Sequence, residues 1–293
     1  MLYTALMTDI VKSKKLLQEE REEIQVFIKQ GLDILNEVFN PSLVFKVIFS
    51  GGDEVQGLFK TPYSAVMFFR LLKMILAPLH LRCGIGVGEW DVQIFNGTSA
   101  EQDGSAFHLA RSAISQAHKN PDQCILFNSD TENDVYINTL LNVSCLLTQT
   151  QSDYQSQIYL INELMHPFFD ENSMDLDRFK ELYAWVRNKE HLKFYAQRKN
   201  RQGNIWRESK IDALDCDPLP IFTEAMLRKK MTLNLAVQRG LSKKISNITN
   251  TSRQNIDVVL KNANISTIRN VDLTAMIWIY QHFRGDLWDS SHC

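Results

Sequence analysis

An α/β (α+β) architecture, a βαββαβ unit followed by helices, is the fold class this sequence predicts. Three observations predict it. Short apolar runs rich in β-branched and aromatic residues alternate with stretches of helical periodicity as far as Thr131. A Ser-Gly-Gly turn, Ser50, Gly51 and Gly52, joins two of those runs into a hairpin. Beyond Thr131 strand patterning stops and helical patterning dominates.

The elements follow in order. The run from Leu2 to Thr8 ends at Asp9, is too short for a helix, and reads as a buried strand. From Ile24 the apolar residues Phe27, Ile28, Leu32, Leu35, Val38 and Phe39 form a helical stripe, which Asn40 and Pro41 close. Residues 43–49 are apolar on both faces except at Lys46, so they are expected to form a central, doubly covered strand. Asp53 tips the hairpin, and residues 54–59 return as its second strand. Pro62 opens a helix to Leu76, and residues 81–89 form a strand. Residues 104–118 then read as a helix and 123–128 as a last strand. This order is ferredoxin-like with additions.

At about 150 residues per domain, 293 residues suggest two domains. The division expected is an α/β domain over residues 1–141, a mainly helical linker over 142–224 that includes an exposed polar loop at 187–210, and a small helical domain over 225–285. Charge is distributed unevenly between them. Residues 225–285 carry ten basic side chains against two acidic ones (Asp257 and Asp272), whereas the whole chain has 32 basic and 34 acidic residues. A basic tail on an acidic body is expected to meet a polyanion, with a solvated basic face as the alternative. The five cysteines form no CxxC pair, which points to a reducing compartment. No apolar run approaches the roughly 20 residues that span a bilayer. A cytoplasmic protein without membrane contact is expected.

Asp9 at a strand end and Asp53 at a hairpin tip would stand side by side in such a sheet. Neighbouring carboxylates repel unless a cation lies between them, and Mg²⁺ commonly takes one or two carboxylates together with substrate phosphates. The same layout serves two-metal phosphoryl transfer. Taken singly, each Asp also fits a cap or a turn.

Residues 7–13 (MTDIVKS), 49–59 (FSGGDEVQGLF) and 81–89 (LRCGIGVGE) stand in the order and spacing of class III nucleotidyl cyclases. With 103–111 (DGSAFHLAR), the sequence resembles the SatD family, which couples such a nucleotide cyclase/palm-type domain to a C-terminal helix-turn-helix. The resemblance implies Asp9 and Asp53 as metal carboxylates for Mg²⁺ (or Mn²⁺), with the Ile10 carbonyl as a third oxygen. It also implies Arg111 on the triphosphate, and Gly51, Gly52, Gly104 and His108 about the nucleotide. A homodimer is implied on the same ground. GGDE (51–54) also resembles the diguanylate cyclase signature, but MTDIVKS is closer to the adenylyl and guanylyl cyclase pattern. The sequence departs from the cyclases where their helix carries an Asn: His108 stands there, and Arg111 comes one residue early. Two functions are therefore expected as alternatives, nucleotidyl cyclase turnover or nucleotide sensing without turnover.

In the tail, Lys243, Lys244, Ile245 and Ile248 precede an interruption at Asn250 and Thr251. Ser252 then caps a second helix bearing Ile256, Val259, Leu260 and Ala263. Two short amphipathic helices across a turn read as a helix-turn-helix or as a small interaction module. For double-stranded DNA, Arg253, Gln254 and Asn255 suit base edges or phosphates, and Lys243, Lys244 and Lys261 suit the backbone.

Overall fold

The computed structural model describes residues 1–11, 17–120, 122–196, 214–223, 227 and 240–283. Lys12 and Ser13 of the first motif, most of the 187–210 loop, and Arg228, Lys229, Lys230, Arg239 and Arg284 of the basic tail lie outside the described residues.

Strand β1 (Tyr3–Ile10) leads through helix α1 (Gln18–Val38) to the hairpin of β2 (Leu43–Gly51) and β3 (Glu54–Phe59). Helix α2 (Pro62–Leu76), β4 (Leu81–Gly88), α3 (Ser105–Lys119) and β5 (Ile125–Asn128) follow. The five strands form one mixed sheet in the order β2-β3-β1-β4-β5. β1 runs antiparallel to both neighbours, and β5 joins β4 in parallel through α3. The βαββαβ order read from the sequence is thus present, with β5 added beyond β4.

Alternation on β1 assigns the two faces of the sheet. Leu6 and Ile10 join the core with α1 and α2, whereas Ala5 and Met7 pack with Phe107, Ala110 and Ile114 of α3. The stripe Ile24, Phe27, Ile28, Leu32, Leu35 and Val38 buries α1 on the first face. The glycines of β4 bring α3 close on the second. A Cβ on Gly84 would lie 2.3 Å from the Ala110 carbonyl oxygen, and one on Gly86 would lie 2.2 Å from that of Ala106. The small residues Ala106, Ala110, Ala113 and Ala117 complete that seam.

β2 is an edge strand rather than the central strand expected, and most of it is only half-buried. Its aromatic outer face is explained by Phe45 packing edge-on against Trp90, 5.2 Å between ring centroids. Both sheet edges are closed by asparagine amides. Asn36 of α1 donates to the Val47 carbonyl (2.9 Å) and accepts from its N–H (2.8 Å). On the other edge, Asn138 and Asn142 donate to the carbonyls of Phe127 and Ile125, both at 2.8 Å. Side-chain amides thereby satisfy backbone groups that an open edge would offer to another strand.

Helices α4 (Asn133–Gln149), α5 (Asp153–Met165) and α6 (Leu176–Val186) come next, then the short α7 (Lys193–Ala196). Helices α8 (Leu241–Ile248), α9 (Arg253–Asn262) and α10 (Ile265–His282) end the described chain. Residues 141 and 142 both fall inside α4. Strands also continue beyond Thr131, because β6 (Phe168–Phe169) pairs in parallel with β7 (Leu219–Pro220). A two-residue strand carries no periodicity for a sequence pattern to show. Cys124 and Cys145 form a disulfide, and among the described residues Cys83 and Cys216 are free. No described helix is long and apolar enough to cross a membrane.

One apolar cluster runs from α1 and α2 through α5 and α6 to Leu273, Met276 and Ile279 of α10. Within it lies a buried ionic group. Arg70 of α2 contacts Glu163 of α5 and Asp272 of α10, each at 2.6 Å, and Arg269 of α10 also pairs with Glu163. Both guanidiniums lie over the Phe168 ring, at 4.5 and 4.3 Å from its centroid. Burial alone would push the Glu163 carboxyl up, but the charges of Arg269 and Arg70 outweigh it and hold the group below the usual range.

Candidate functional site

Asp9 lies one residue from the end of β1, on the α3 side of the sheet with Ala5 and Met7. It is 9% exposed. His118, near the end of α3, places Nε2 2.6 Å from Asp9 Oδ2, and Arg82 places Nη1 3.8 Å from Oδ1. Arg82 stands directly opposite Asp9 in the β1–β4 register, and its Nη1 is 3.2 Å from His118 Nδ1. Asp9 Oδ1 nevertheless has no hydrogen-bond partner. Burial raises the Asp9 carboxyl above the usual range. His118 and Arg82 pull it back, and the charge of Asp53 adds to the rise. The contribution of Asp53 is the smallest of these.

Asp53 occupies the turn between β2 and β3 and is half-buried. Gly52 has φ of +60°, which explains a glycine there, whereas a Cβ on Gly51 would meet open space. Glu54 faces the α3 side and holds Arg111 Nη1 at 2.6 Å, while the Ser50 hydroxyl donates to its other oxygen at 3.0 Å. Arg111 thus reaches the hairpin and is paired with Glu54. Ile10 is buried as the last residue of β1.

Gly104 and His108 are not brought to this place. Gly88 at the C-terminal end of β4 touches Ser105 and Ala106, whereas Gly84, nearer its start, touches Ala110 and Ile114, so α3 runs antiparallel to β4. The start of α3 is consequently at the sheet end opposite Asp9. His108 precedes His118 by ten residues, about 15 Å along the helix axis. It stays exposed, 3.3 Å from Asp103. Gly104 has a structural reason of its own: its φ is +149°, and a Cβ would lie 2.4 Å from the Glu89 carbonyl oxygen.

Sequence reasoning missed Arg82 and His118. His118 continues the stripe of Arg111 and Ser115 by one turn, and that periodicity could have found it. Arg82 depends on strand register, which sequence pattern leaves open. Among the described residues no group of three or more His, Cys, Asp or Glu side chains stands ready to hold a metal. The oxygens of Asp9 and Asp53 suit a hard cation that draws its remaining ligands from phosphate and water, rather than a resident ion held by protein alone.

In the tail, the Ser252 hydroxyl caps α9 by accepting from the Asn255 N–H at 3.2 Å. α8 and α9 are separated by residues 249–252, and Asn250 there has φ of +49°. Arg253, Gln254 and Lys261 are exposed along α9, and Lys243 is exposed on α8; Asn255 is half-buried. Lys244 is paired with Asp215 at 2.6 Å, and Arg253 leans toward Asp257 at 3.6 Å.

A model of the SatD family matches residues 3–185. That span is more than half of the chain, and the chain belongs to the SatD family. Two solved structures described as a bacterial light-regulated adenylyl cyclase also align with it. The first is 15% identical with a TM-score of 0.29 and covers 43% of this chain and 74% of its own. The second is 16% identical with a TM-score of 0.30 and covers 43% and 42%. At these TM-scores the likeness carries no functional weight. No curated protein matches.

Proposed function

We propose that this protein is a nucleotide-responsive DNA-binding protein. A nucleoside triphosphate with Mg²⁺ (or Mn²⁺) binds at the sheet end bearing Asp9 and Asp53, and occupancy is passed to DNA contacts on α8 and α9. The observation that carries the first half is the state of Asp9: a nearly buried carboxylate with one oxygen lacking a hydrogen bond, further burdened by the charge of Asp53. A divalent cation would supply the positive charge that joins those carboxylates to phosphate oxygens. Arg111, half-exposed and paired with Glu54, could exchange that partner for a phosphate.

Sensing without turnover is the version favoured over a cyclase. His108 stands where the cyclases carry an Asn, and it lies far along α3 from Asp9. Support for coupling comes from the Arg70, Glu163, Arg269 and Asp272 group, which fixes α10 to α2 and α5. Support for DNA contact is the exposure of Lys243, Arg253, Gln254 and Lys261. A second reading, a protein-interaction module, is favoured by Val258, which is 54% exposed on α9.

The test is a mobility shift of the full chain on duplex DNA across a salt series, with and without each nucleoside triphosphate and Mg²⁺, with products followed by chromatography. Retardation that fades as salt rises, changes with one nucleotide and yields no product is expected. Absence of retardation at low salt would leave the interaction module as the better reading.

A further inference from the structure

A cavity of about 220 Å³ lies between α2, the loop from α2 to β4, α4 and the start of α5. Lys73 of α2 lines it. Its Nζ reaches only Thr148 Oγ1 at 3.3 Å and Cys145 Sγ at 3.4 Å, with no carboxylate of the described residues within ion-pair distance. An ammonium without a counter-charge is costly in such surroundings, and burial lowers the Lys73 amine to about 8. The other charged groups only moderate this. Asp272 on α10 raises it and Arg70, on α2 with Lys73, lowers it, while His80 in the loop and Asp153 and Tyr159 on α5 line the same cavity.

The rest of the wall is mixed in a way that suits an organic acid. Met74, Pro78 and Leu79 form an apolar side, and Gln149, Gln151 and Ser156 offer hydrogen-bonding groups. A second groove of about 360 Å³ shares His80, Leu81, Cys124 and Gln149 with it and opens toward Arg82. Pockets for drug-sized ligands run about 300–1,000 Å³, so the inner cavity fits a smaller molecule.

We propose that this cavity is a binding site for a small organic carboxylate, its charged end paired with the Lys73 ammonium and its apolar end against Met74, Pro78 and Leu79. The site is separate from the nucleotide reading and does not depend on it. Inorganic phosphate would satisfy the charge but leave the apolar wall uncovered.

The test is calorimetric titration of the full chain with hexanoate, benzoate, hexanamide and inorganic phosphate. Hexanoate or benzoate is expected to bind and hexanamide is not. The Lys73→Met variant, checked by circular dichroism, is expected to lose at least tenfold in affinity, and Lys73→Arg to recover part of it. Affinity is expected to fall as pH rises above about 8, where the ammonium loses its proton. The proposal is overturned if neither carboxylate binds, if phosphate alone binds, or if Lys73→Met binds the carboxylates as tightly as the wild type.

Discussion

Two groups of charges in this molecule are built from similar residues and held in opposite ways. At the junction of α2, α5 and α10, Arg70, Glu163, Arg269 and Asp272 are buried and paired with one another. At the open end of the sheet, Asp9 keeps an oxygen without a hydrogen bond, Asp53 is half-buried in a turn, and the Glu54–Arg111 pair is partly exposed. Charges matched among themselves in the interior fix the position of helices. The carboxylates at the sheet end are paired with partly exposed cations, Asp9 with His118 and Arg82 and Glu54 with Arg111, which are freer to exchange partners than buried ones. The contrast separates residues whose loss should unfold the protein from residues whose loss should silence it.

The largest effect is expected inside the junction. Glu163→Gln leaves Arg70 and Arg269 buried with an uncompensated charge, and breaking a buried pair in this way costs about 3–5 kcal/mol. Urea denaturation should show that loss, and a midpoint close to wild type would mean that the junction is not what fixes α10.

The α3 seam should rank next. Gly86→Ala drives a Cβ against the backbone of Ala106 and Ala110, and overpacking of this kind costs about 1–3 kcal/mol. Gly51→Ala, whose Cβ meets open space, should stay within about 0.5 kcal/mol. Equal losses would show that α3 does not lie on β4 as described.

Lys189 gives a buried charge whose effect is read through pH. It donates to the carbonyls of Ile75 and Ala77 and lies 4.5 Å from the Tyr195 ring centroid, and burial lowers its amine from 10.5 to about 7. Between those two values the unfolded chain holds a proton that the folded chain has released, so this group makes the fold more stable as pH rises from about 7 to 10.5. Lys189→Met should flatten that part of the stability profile. An unchanged slope would place the lysine in water. The smallest effect belongs to the exposed pair Lys29–Asp33, where Asp33→Ala should cost no more than about 0.5 kcal/mol.

Much of the fold was legible because β-branched runs, helical stripes and the Gly-Gly turn carry local signals. β2 was not placed correctly. Val47 and Phe45 look alike in a one-dimensional pattern, yet one enters the core with α1 and the other packs on Trp90 at the sheet edge. The positions of Asp9 near a strand end and Asp53 in a hairpin turn were legible. Arg82 and His118 were not, since their approach to Asp9 depends on strand register and on the direction of α3. That same direction removes Gly104 and His108 to the other end of the sheet. In the tail, Ser252 announced α9, but Arg269 and Asp272 counted only as two charges of opposite sign until the fold buried both. Their partners lie about one hundred residues or more earlier in the chain, beyond the range of any local pattern.

In the proposed function Asp9 and Asp53 act together on a nucleotide-bound cation. Isothermal titration of wild type and Asp53→Ala with each nucleoside triphosphate, with and without Mg²⁺, tests it most directly, provided both proteins unfold at the same urea concentration. Mg²⁺-dependent binding to the wild type is expected, with none to Asp53→Ala and weaker binding to Arg111→Ala. Equal affinity in wild type and Asp53→Ala would contradict it.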